Sequence, residues 1–387
     1  MKVRLSLRIL FLALDIDLSR PRGDTVHAIE LARGLHQIGH SVALVVGAGT
    51  AAPADRPEGV VIHEVFGADS RVLAGIARIL RAWPAEIVYE RRFSPKIGFV
   101  LGRLYGLPSV LEVNGILRDE LAFQGRIRVP TVVHRLKDSA RRAMLRRLQG
   151  FVAVSPAIRD ELVGTYGVDA RRVRVIGNGV NVDRFRPLSK ADACSQTGIP
   201  PRIPRVVFVG NLVGWRDFDG VVNAMAMVQM GLPDAELLVV GDGPERERFE
   251  LAARAVLREG TVRFVGAVPP AAVPAYIGAS DLGLLPEKVR GLDISPLKLF
   301  EYLACARPVV GYRVRGLEIL ETIGAGLLVS PGDAQALGSA LTGLLSRPDL
   351  REDMGAKGRA FVERDKSWKS VAGRVTEVLL EAGKAGS

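Results

Sequence analysis

The stretch from Asp293 to Val310 contains residue types that could carry out chemistry on a phosphorylated ligand. Ser295 and the proline after it indicate the start of a helix, because the serine oxygen can accept a free amide and proline has no donor to lose there. A helix N-terminus with Lys298 in its first turn suits a phosphate group. Asp293 lies just before this helix and Glu301 lies within it, so two acids flank the predicted anion site.

The composition is that of an ordinary folded protein with a bias towards anionic partners. The 387 residues are enough for two domains, and contents of 48% hydrophobic and 6% aromatic residues exclude global disorder. The net charge of +11 favours nucleotides, acidic lipid head groups or nucleic acid as partners. Cys194 and Cys305 are far apart and lack metal-ligand neighbours, which favours a reducing cytoplasm over a disulfide framework.

The N-terminal stretch Met1–Leu14 is basic and then apolar, as in a signal peptide. Its apolar run is short, two aspartates follow it and no small-residue cleavage site is present, so it predicts a buried first strand instead. No apolar stretch reaches the roughly 20 residues that a membrane span needs. We therefore expect a cytoplasmic protein that is soluble or peripheral at the inner face of the membrane.

Short apolar strands alternate with amphipathic helices along the chain, which predicts two α/β domains with doubly wound parallel sheets. We expect an N-terminal domain over 1–185, a proline-rich linker over 186–204, a C-terminal domain over 205–365 and a last helix over 366–387 that could return to the first domain. Such sheets bind ligands beyond the carboxyl ends of their strands. The predicted strands are Leu5–Leu14, Ser41–Val46, Val60–Val65, Ile87–Glu90, Val110–Val113, Phe151–Val154, Val173–Ile176, Val206–Gly210, Glu236–Val240, Val262–Gly266, Asp281–Leu285, Val309–Gly311 and Leu327–Val329.

Two glycine-rich motifs follow predicted strands, and each has two interpretations. Gly241-Asp-Gly243-Pro opens a helix and, taken alone, is more typical of a tight turn than of ligand binding. The run from Gly177 to Pro187 is likewise typical of a rigid turn.

Two other motifs imitate cofactor or metal sites. The run from Gly47 to Ala52 is like a dinucleotide fingerprint, but Pro53 and Pro57 prevent the helix that should follow it. Asp15 and Asp17 imitate a metal-binding pair, but no second carboxylate or histidine cluster supports a metal. We therefore expect no nicotinamide, flavin or metal cofactor.

Taken together and in order, the motifs closely resemble those of the family-4 retaining glycosyltransferases of GT-B fold. The resemblance runs along nearly the whole chain and is densest from Phe151 to the C-terminus. It implies two Rossmann-like domains facing across a cleft, and transfer of a sugar from a nucleoside diphosphate sugar with the anomeric configuration retained and no metal needed. The motifs that carry it are Gly23–Glu30, Gly39–Val42, Val175–Pro187, Phe208–Leu212, Gly241–Pro244, Val262–Val268, Ser295–Val310 and Ser330–Asp333.

The resemblance also implies roles for individual residues. In the family, two acids separated by seven residues mark the donor site, and Asp293 and Glu301 hold these positions. By this match Glu301 would accept hydrogen bonds from the ribose hydroxyls, and Asp293, where the family usually has Glu, would lie by the donor sugar. Amides from Ser295 to Lys298 would hold the diphosphate, and the backbone near Gly266 would contact the base. The donor-binding candidates are Gly23, Asn211, Gly241, Gly243, Gly266, Ala267, Val268, Ser295 and Leu297.

The chain departs from the family pattern at three further positions. Just after the first strand of the second domain the family commonly has Arg and, five residues later, Lys, whereas Asn211 and Arg216 stand here. We infer that Arg216 and Lys298 neutralise charge on the leaving diphosphate, which makes them catalytic candidates together with the two acids. On the acceptor side the candidates are Asp24 and Asn114, the second of which replaces the usual His.

One predicted helix of the first domain is strongly basic outside its apolar stripe, from Arg135 to Arg147. It is either a solvated basic face or a surface that docks on anionic lipid. No aromatic stacking residues accompany these charges, which argues against nucleic acid. The expected partners are therefore a nucleotide-sugar donor and a glycan or lipid-linked acceptor.

Two alternative functions stand beside glycosyl transfer. A non-catalytic nucleotide-sugar-binding protein gains some support from the departures at Asp293 and Asn211, and a sugar-nucleotide epimerase would use the same fold. Turnover of a donor sugar distinguishes the binding protein from the enzymes.

Overall fold

The computed structural model describes residues 6–19, 23–48, 56–91, 95–115, 132–288 and 297–385. The chain divides into two compact units. The first combines Met1–Asn178 with Trp368–Ser387, and the second is Gly179–Ser367.

The first unit contains, among its described residues, a sheet of seven strands. They are β1 (Arg8–Asp17), β2 (Ser41–Ala48), β3 (Val61–Glu64), β4 (Ile87–Arg91), β5 (Ser109–Val113), β6 (Gly150–Ala153) and β7 (Val173–Val175). Their order is β3-β2-β1-β4-β5-β6-β7, and all neighbouring pairs are parallel. The central strands are buried apolar runs, as expected of a parallel sheet covered on both faces.

Helices connect these strands and cover the sheet. In chain order they are α1 (Gly23–Gln37), α2 (Asp69–Ala82), α3 (Lys96–Tyr105), α4 (Val132–Leu145), α5 (Pro156–Gly164) and a 3₁₀ turn at Ala170–Arg172. Serine and proline begin α5 in the way that helix starts favour, since Ser155 accepts from the Ile158 amide ahead of Pro156. One face of the sheet packs on α2 and α3 through Leu10, Leu12, Ala43, Val45, Val72, Ile76, Val88, Ile97 and Leu101.

The second unit contains a parallel sheet of six strands, all within the described part of the chain. They are β8 (Arg205–Val209), β9 (Glu236–Val240), β10 (Val262–Gly266), β11 (Leu282–Leu285), β12 (Val309–Tyr312) and β13 (Gly326–Val329). Their order is β10-β9-β8-β11-β12-β13. The helices are α6 (Lys190–Thr197), α7 (Phe218–Gly231), α8 (Arg246–Val256), α9 (Val273–Gly278), α10 (Leu297–Ala304), α11 (Ile319–Thr322), α12 (Ala334–Leu345), α13 (Pro348–Phe361) and a π-helical turn at Val362–Lys366.

The last helix, α14 (Trp368–Ala385), belongs to the first unit and packs on α1. Close approach depends on Gly34, because a Cβ there would lie 2.7 Å from the carbonyl oxygen of Trp368. A hydrogen bond of 2.8 Å between His40 Nε2 and Thr376 Oγ1 fixes the helix further along.

The predicted fold class is confirmed: both sheets are parallel and doubly wound, and each predicted strand has a counterpart. The first strand extends further than predicted, through Asp15 to Asp17, because Asp17 still pairs with Ala48 after a register shift. The segment 186–204, predicted as a linker, lies in the second unit and contains α6. Ser189 caps this helix and Gly198 ends it in the left-handed conformation, but the helix is too short to show an amphipathic period.

Within the described residues, no helix is both long and apolar enough to cross a membrane.

Candidate active site

The helix α10 of the second unit presents two of the predicted catalytic side chains on one face. Lys298 Nζ donates to Glu301 Oε2 at 2.7 Å, as three-residue spacing on a helix allows. The Glu301 side chain is only 11% exposed, whereas that of Lys298 is 32% exposed. A nearly buried carboxylate is therefore paired with an ammonium group that solvent and ligands can reach.

Tyr302 fixes the position of this helix against the sheet. Its hydroxyl accepts a hydrogen bond from the Val209 amide at 2.8 Å, and its ring lies over Gly283, where a Cβ would be 2.6 Å from the ring. Burial raises the pKa of Tyr302, so the phenol remains neutral. Arg216 stacks on Phe208, the neighbour of Val209 on β8, so Tyr302 and Arg216 meet the same strand end.

Arg216 lies near the carboxyl end of β8, and two of its side-chain nitrogens have no hydrogen-bond partner among the described residues. Its guanidinium stacks on the Phe208 ring at 4.7 Å, and its Nη2 lies 3.3 Å from Glu287 Oε1. Gly210 leaves room for it, because a Cβ there would lie 2.9 Å from Nη1. Within the described chain, the buried Nε and Nη1 have no hydrogen-bond partner. A buried cation with unpaired donors is arranged to receive an anion.

Glu287 is a member of the site that the sequence analysis missed. Its backbone forms a bridge with Arg216, and burial raises the pKa of its carboxyl while the Arg216 charge lowers it. The next residue, Lys288, donates to Asp217 Oδ1 at 3.2 Å, and Tyr312 donates to Asp217 Oδ2 at 2.8 Å. These bonds hold the chain where it leaves β11. The available signal was a pair of charged residues, Glu287 and Lys288, shortly after strand β11.

The predicted glycines bring neighbouring strand ends together. The Gly210 amide donates to Val240 O at 2.9 Å, and the Gly241 amide donates to Gly266 O at 2.8 Å. A Cβ on Gly241 would lie 2.0 Å from Gly210 O, so only glycine permits this approach. Gly243 packs in the same way on the Leu212 backbone. The glycines therefore have a packing role, as expected if the motif that begins at Gly241 is a tight turn.

The remaining donor-side candidates of the second unit lie at the same sheet edge. Asn211 and Ala267 are exposed, and Val268 is half-buried against the core. Leu297 begins the described part of α10. Asp293 and Ser295 lie outside the described residues. The structure thus pairs Lys298 with Glu301 and places Arg216 beside Glu287 at the end of β8. Among the described residues, it shows no cluster of groups that could hold a metal ion.

The acceptor-side candidates lie in the first unit. Gly23, a donor-binding candidate in the same unit, is exposed at the start of α1. Asp24 Oδ1 accepts from the Thr25 amide at 3.0 Å. Asn114 directly follows β5, and its Nδ2 donates to Glu112 Oε1 at 2.7 Å. The structure therefore connects Asn114 to a buried carboxylate that was not predicted as part of a site.

Glu112 is the centre of a buried polar cluster at the carboxyl ends of β4 and β5. It is 1% exposed and accepts from the Tyr89 hydroxyl, and His27 Nε2 lies 2.8 Å from its Oε1. Arg91 Nε lies 3.6 Å from the same oxygen. Burial alone would raise the pKa of Glu112, but the charges on His27 and Arg91 and the hydrogen bonds lower it to about 2.

The sequence signal for this cluster was weak. Glu112 and Asn114 are two residues apart at a strand end and so share a face, but Tyr89 and His27 are distant in sequence. The sequence gives no sign that His27 belongs to this cluster, because its contacts with Glu112 and Asn178 form only when α1 packs on the sheet.

Two protein-family models match the chain in tandem. The model described as Glycosyltransferase Family 4 matches residues 21–184, and the model described as Glycosyl transferases group 1 matches residues 189–361. Between them the two matches include every residue of both polar clusters, Arg216, Glu287 and Glu301 in the second unit and His27 and Glu112 in the first.

Individual relatives agree with these matches. A 2-deoxystreptamine N-acetyl-D-glucosaminyltransferase of Streptomyces fradiae is 29% identical over 325 residues, which are 81% of this chain and 71% of the relative. A GDP-mannose-dependent monoacylated alpha-(1-6)-phosphatidylinositol monomannoside mannosyltransferase of Corynebacterium glutamicum is 32% identical over 211 residues, 52% of this chain and 54% of the relative. The solved structure of Anabaena HepE in complex with UDP has a TM-score of 0.76 at 17% identity, covering 97% of this chain and 100% of that one, a likeness in fold.

The depressed pKa of Glu112 predicts a pH-dependent contribution to stability. Its pKa is about 2 in the folded protein against an ordinary 4.5, so the ionised form stabilises the fold above pH 4.5 and this contribution declines as the pH falls from 4.5 towards 2. We expect Glu112→Gln to lower the free energy of unfolding of the first unit by about 3 kcal/mol near neutral pH and by much less in strong acid. Urea unfolding of both proteins across this pH range measures it, and a difference independent of pH would contradict the assignment.

Proposed function

Because the chain belongs to the family-4 glycosyltransferases of GT-B fold, we propose that it transfers a sugar from a UDP- or GDP-linked donor to a glycan or lipid-linked acceptor, with the anomeric configuration retained and without a metal ion. Glycosyl transfer itself follows from the family. The donor, the stereochemistry, the independence of metal and the acceptor class are our proposal.

The observation that carries the proposal is the pair of buried Arg216 donors that have no partner in the described chain, at the end of β8 on which the helix of Lys298 and Glu301 also packs through Tyr302. In the transfer, the acceptor oxygen bonds to the anomeric carbon and loses its proton, while the diphosphate leaves with the electron pair of the broken bond. Negative charge therefore grows on the diphosphate. Cations already aimed at that position lower the barrier, since they need no reorganisation as the charge develops.

Each candidate residue has a definite role in this scheme. Arg216 and Lys298 hold and neutralise the diphosphate, and together they supply the charge that a bound metal provides in other transferases. Glu301, nearly buried and paired with Lys298, accepts hydrogen bonds from the ribose hydroxyls. Asp293 contacts the donor sugar, and Asp24 and Asn114 serve the acceptor.

Each of the two proposed donor nucleotides, GDP and UDP, is supported by a different similar protein. The Corynebacterium relative is named as dependent on GDP-mannose, and the Anabaena structure of similar fold holds UDP. The exposed Ala267 and half-buried Val268, next to the left-handed Gly266, would contact the base through their backbone.

The acceptor is proposed to be anionic or attached to an anionic surface. Arg142 in the described end of α4 and Arg146 and Arg147 just after it are exposed, and Arg171 of the nearby 3₁₀ turn is 90% exposed at its side chain. The turn is joined to the segment after α4 because Arg172 Nη1 donates to the carbonyl of Leu148 at 2.8 Å. The Corynebacterium relative acts on a phosphatidylinositol mannoside. We infer a cytoplasmic enzyme that is peripheral at the membrane.

Donor binding tests the role of Arg216. We expect Arg216→Ala to weaken UDP or GDP binding by about ten- to hundredfold, since hydrogen bonds to charged groups are each worth about 1.5–3 kcal/mol, while binding of the free nucleoside is unchanged. Calorimetric titration with UDP, GDP, uridine and guanosine measures both. Arg254→Ala, at a largely exposed arginine of α8, is the matched control. Unchanged diphosphate affinity in Arg216→Ala and Lys298→Ala would place the site elsewhere.

Turnover tests the proposed function itself. A panel of UDP- and GDP-sugars is first ranked by thermal stabilisation, since a ligand of the native state raises apparent stability. The best donor is then supplied with 2-deoxystreptamine, inositol phosphate or phosphatidylinositol vesicles. We expect transfer that survives chelator and is abolished in Glu301→Ala. Binding without hydrolysis or transfer would favour the non-catalytic alternative, conversion of the free donor would favour the epimerase, and loss of activity in chelator would point to a metal at Asp15 and Asp17.

Vesicle binding tests the surface of α4. We expect the protein to sediment with vesicles that contain phosphatidylinositol or phosphatidylglycerol, and binding to fall by at least about tenfold when Arg146 and Arg147 are both changed to Glu, because each basic residue near such a surface contributes about 1 kcal/mol. Vesicles of phosphatidylcholine are the control. Equal binding by the variant would leave the arginines as a solvated face.

A further inference from the structure

We propose that Glu112 is a positioning residue that orients the side-chain amide of Asn114, so that the Asn114 carbonyl oxygen faces away from the cluster and accepts a hydrogen bond from a substrate hydroxyl. The proposal rests on the proposed function, because it assigns the hydroxyl to the sugar or polyol acceptor of the transferase. It adds two points that the family resemblance does not supply, namely which end of the Asn114 amide faces the ligand and which residue orients that amide.

The position of Asn114 suits contact with a ligand. It is half-buried and directly follows β5, and ligands of open parallel sheets bind beyond the carboxyl ends of the strands. Its Nδ2 is 2.7 Å from Glu112 Oε1, and the spacing of two residues places both side chains on one face of the chain. One end of the amide is therefore committed to the cluster and the other points away from it.

The chemistry of Glu112 decides which end of the amide faces the cluster. An ionised carboxylate only accepts hydrogen bonds, so the group of Asn114 that touches it must be the NH₂. The Tyr89 hydroxyl also donates to this carboxylate and His27 Nε2 lies 2.8 Å from it, so Glu112 is not available to turn towards another partner.

The groups around Glu112 hold it in place. His27 Nδ1 lies 2.7 Å from Asn178 Oδ1, and the His27 ring packs edge-on against Trp368 with centroids 5.1 Å apart. Tyr89 is fully buried between Phe11 and the carboxylate. The carboxylate is thus fixed from several sides, and the Asn114 amide is held with a single polarity.

An acceptor-only oxygen makes a definite demand on the ligand. It pairs with a hydroxyl or an amine, and it gains nothing from a carbonyl, ether or phosphate oxygen. Polyols such as aminocyclitols, inositols and sugars present many hydroxyl donors. Loss of one such hydrogen bond in a binding site costs about 0.5–1.5 kcal/mol, which corresponds to a two- to about twelvefold change in affinity.

A double-mutant cycle with Glu112→Gln and Asn114→Ala tests the proposal. Glutamine has nearly the same volume but offers both a donor and an acceptor, so the Asn114 amide can turn over. We expect each single variant to raise the KM for the acceptor by about five- to tenfold with little change in the KM for the donor. The double variant should be no worse than Asn114→Ala alone, because Glu112 acts through Asn114.

Glu90→Gln is the matched control, since Glu90 is a buried carboxylate on the neighbouring strand whose Oε2 accepts from the Gly98 amide at 2.8 Å. It should leave the acceptor KM unchanged. Additive effects of the two substitutions, or equal changes in donor and acceptor KM, would show a general structural role and overturn the proposal.

An NMR measurement separates this inference from the proposed function. In protein labelled with ¹⁵N-asparagine, the Asn114 side-chain resonances are identified by their loss in Asn114→Ala. We expect one amide proton shifted downfield by the carboxylate in the wild-type protein and not in Glu112→Gln. A resonance that Glu112→Gln leaves unchanged overturns the inference whether or not transfer is found, whereas absence of transfer with every donor and acceptor overturns the proposed function alone.

Discussion

All strands of a parallel sheet end at the same edge, and the candidate donor site depends on this constraint. Residues far apart in sequence become neighbours in the second unit because β8, β9, β10 and β11 deliver their loops to one edge. Backbone hydrogen bonds from Gly210 to Val240 and from Gly241 to Gly266 join three of these loops directly. The site is therefore built on backbone that the sheet already holds in place, and side chains complete it.

The charged groups at this edge are balanced before any ligand arrives. Arg216 lies against Glu287, and Lys298 pairs with Glu301, so neither cation is buried alone. Complete neutralisation would leave no attraction for a diphosphate. The geometry avoids this, because Glu287 engages only one guanidinium nitrogen at a long 3.3 Å, and Lys298 remains partly open to solvent. The first unit contains the opposite case, a carboxylate at Glu112 that its neighbours satisfy from several sides.

The sequence predicted the sheets well because buried parallel strands are continuous apolar runs, a signal that lies within a few residues. It predicted Lys298 and Glu301 as neighbours because helical spacing is also local. It missed α6, which is too short for a period, and it missed Glu287, His27 and Tyr89 as site residues, because their contacts join distant segments. Arg216 was chosen by resemblance alone, and its unpaired donors and its stacking on Phe208 could be recognised only in three dimensions. Asp293 and Ser295 lie outside the described residues and stay predictions.

The close contact between Gly210 and Arg216 restricts how related chains can vary at these two positions. The guanidinium occupies the volume that a side chain at position 210 would need, and the glycine adopts a φ of +150°. A larger residue at 210 is compatible with the fold only if the side chain at 216 is shorter or turns away. The two positions should therefore change together among relatives, and a chain that keeps the arginine should keep the glycine.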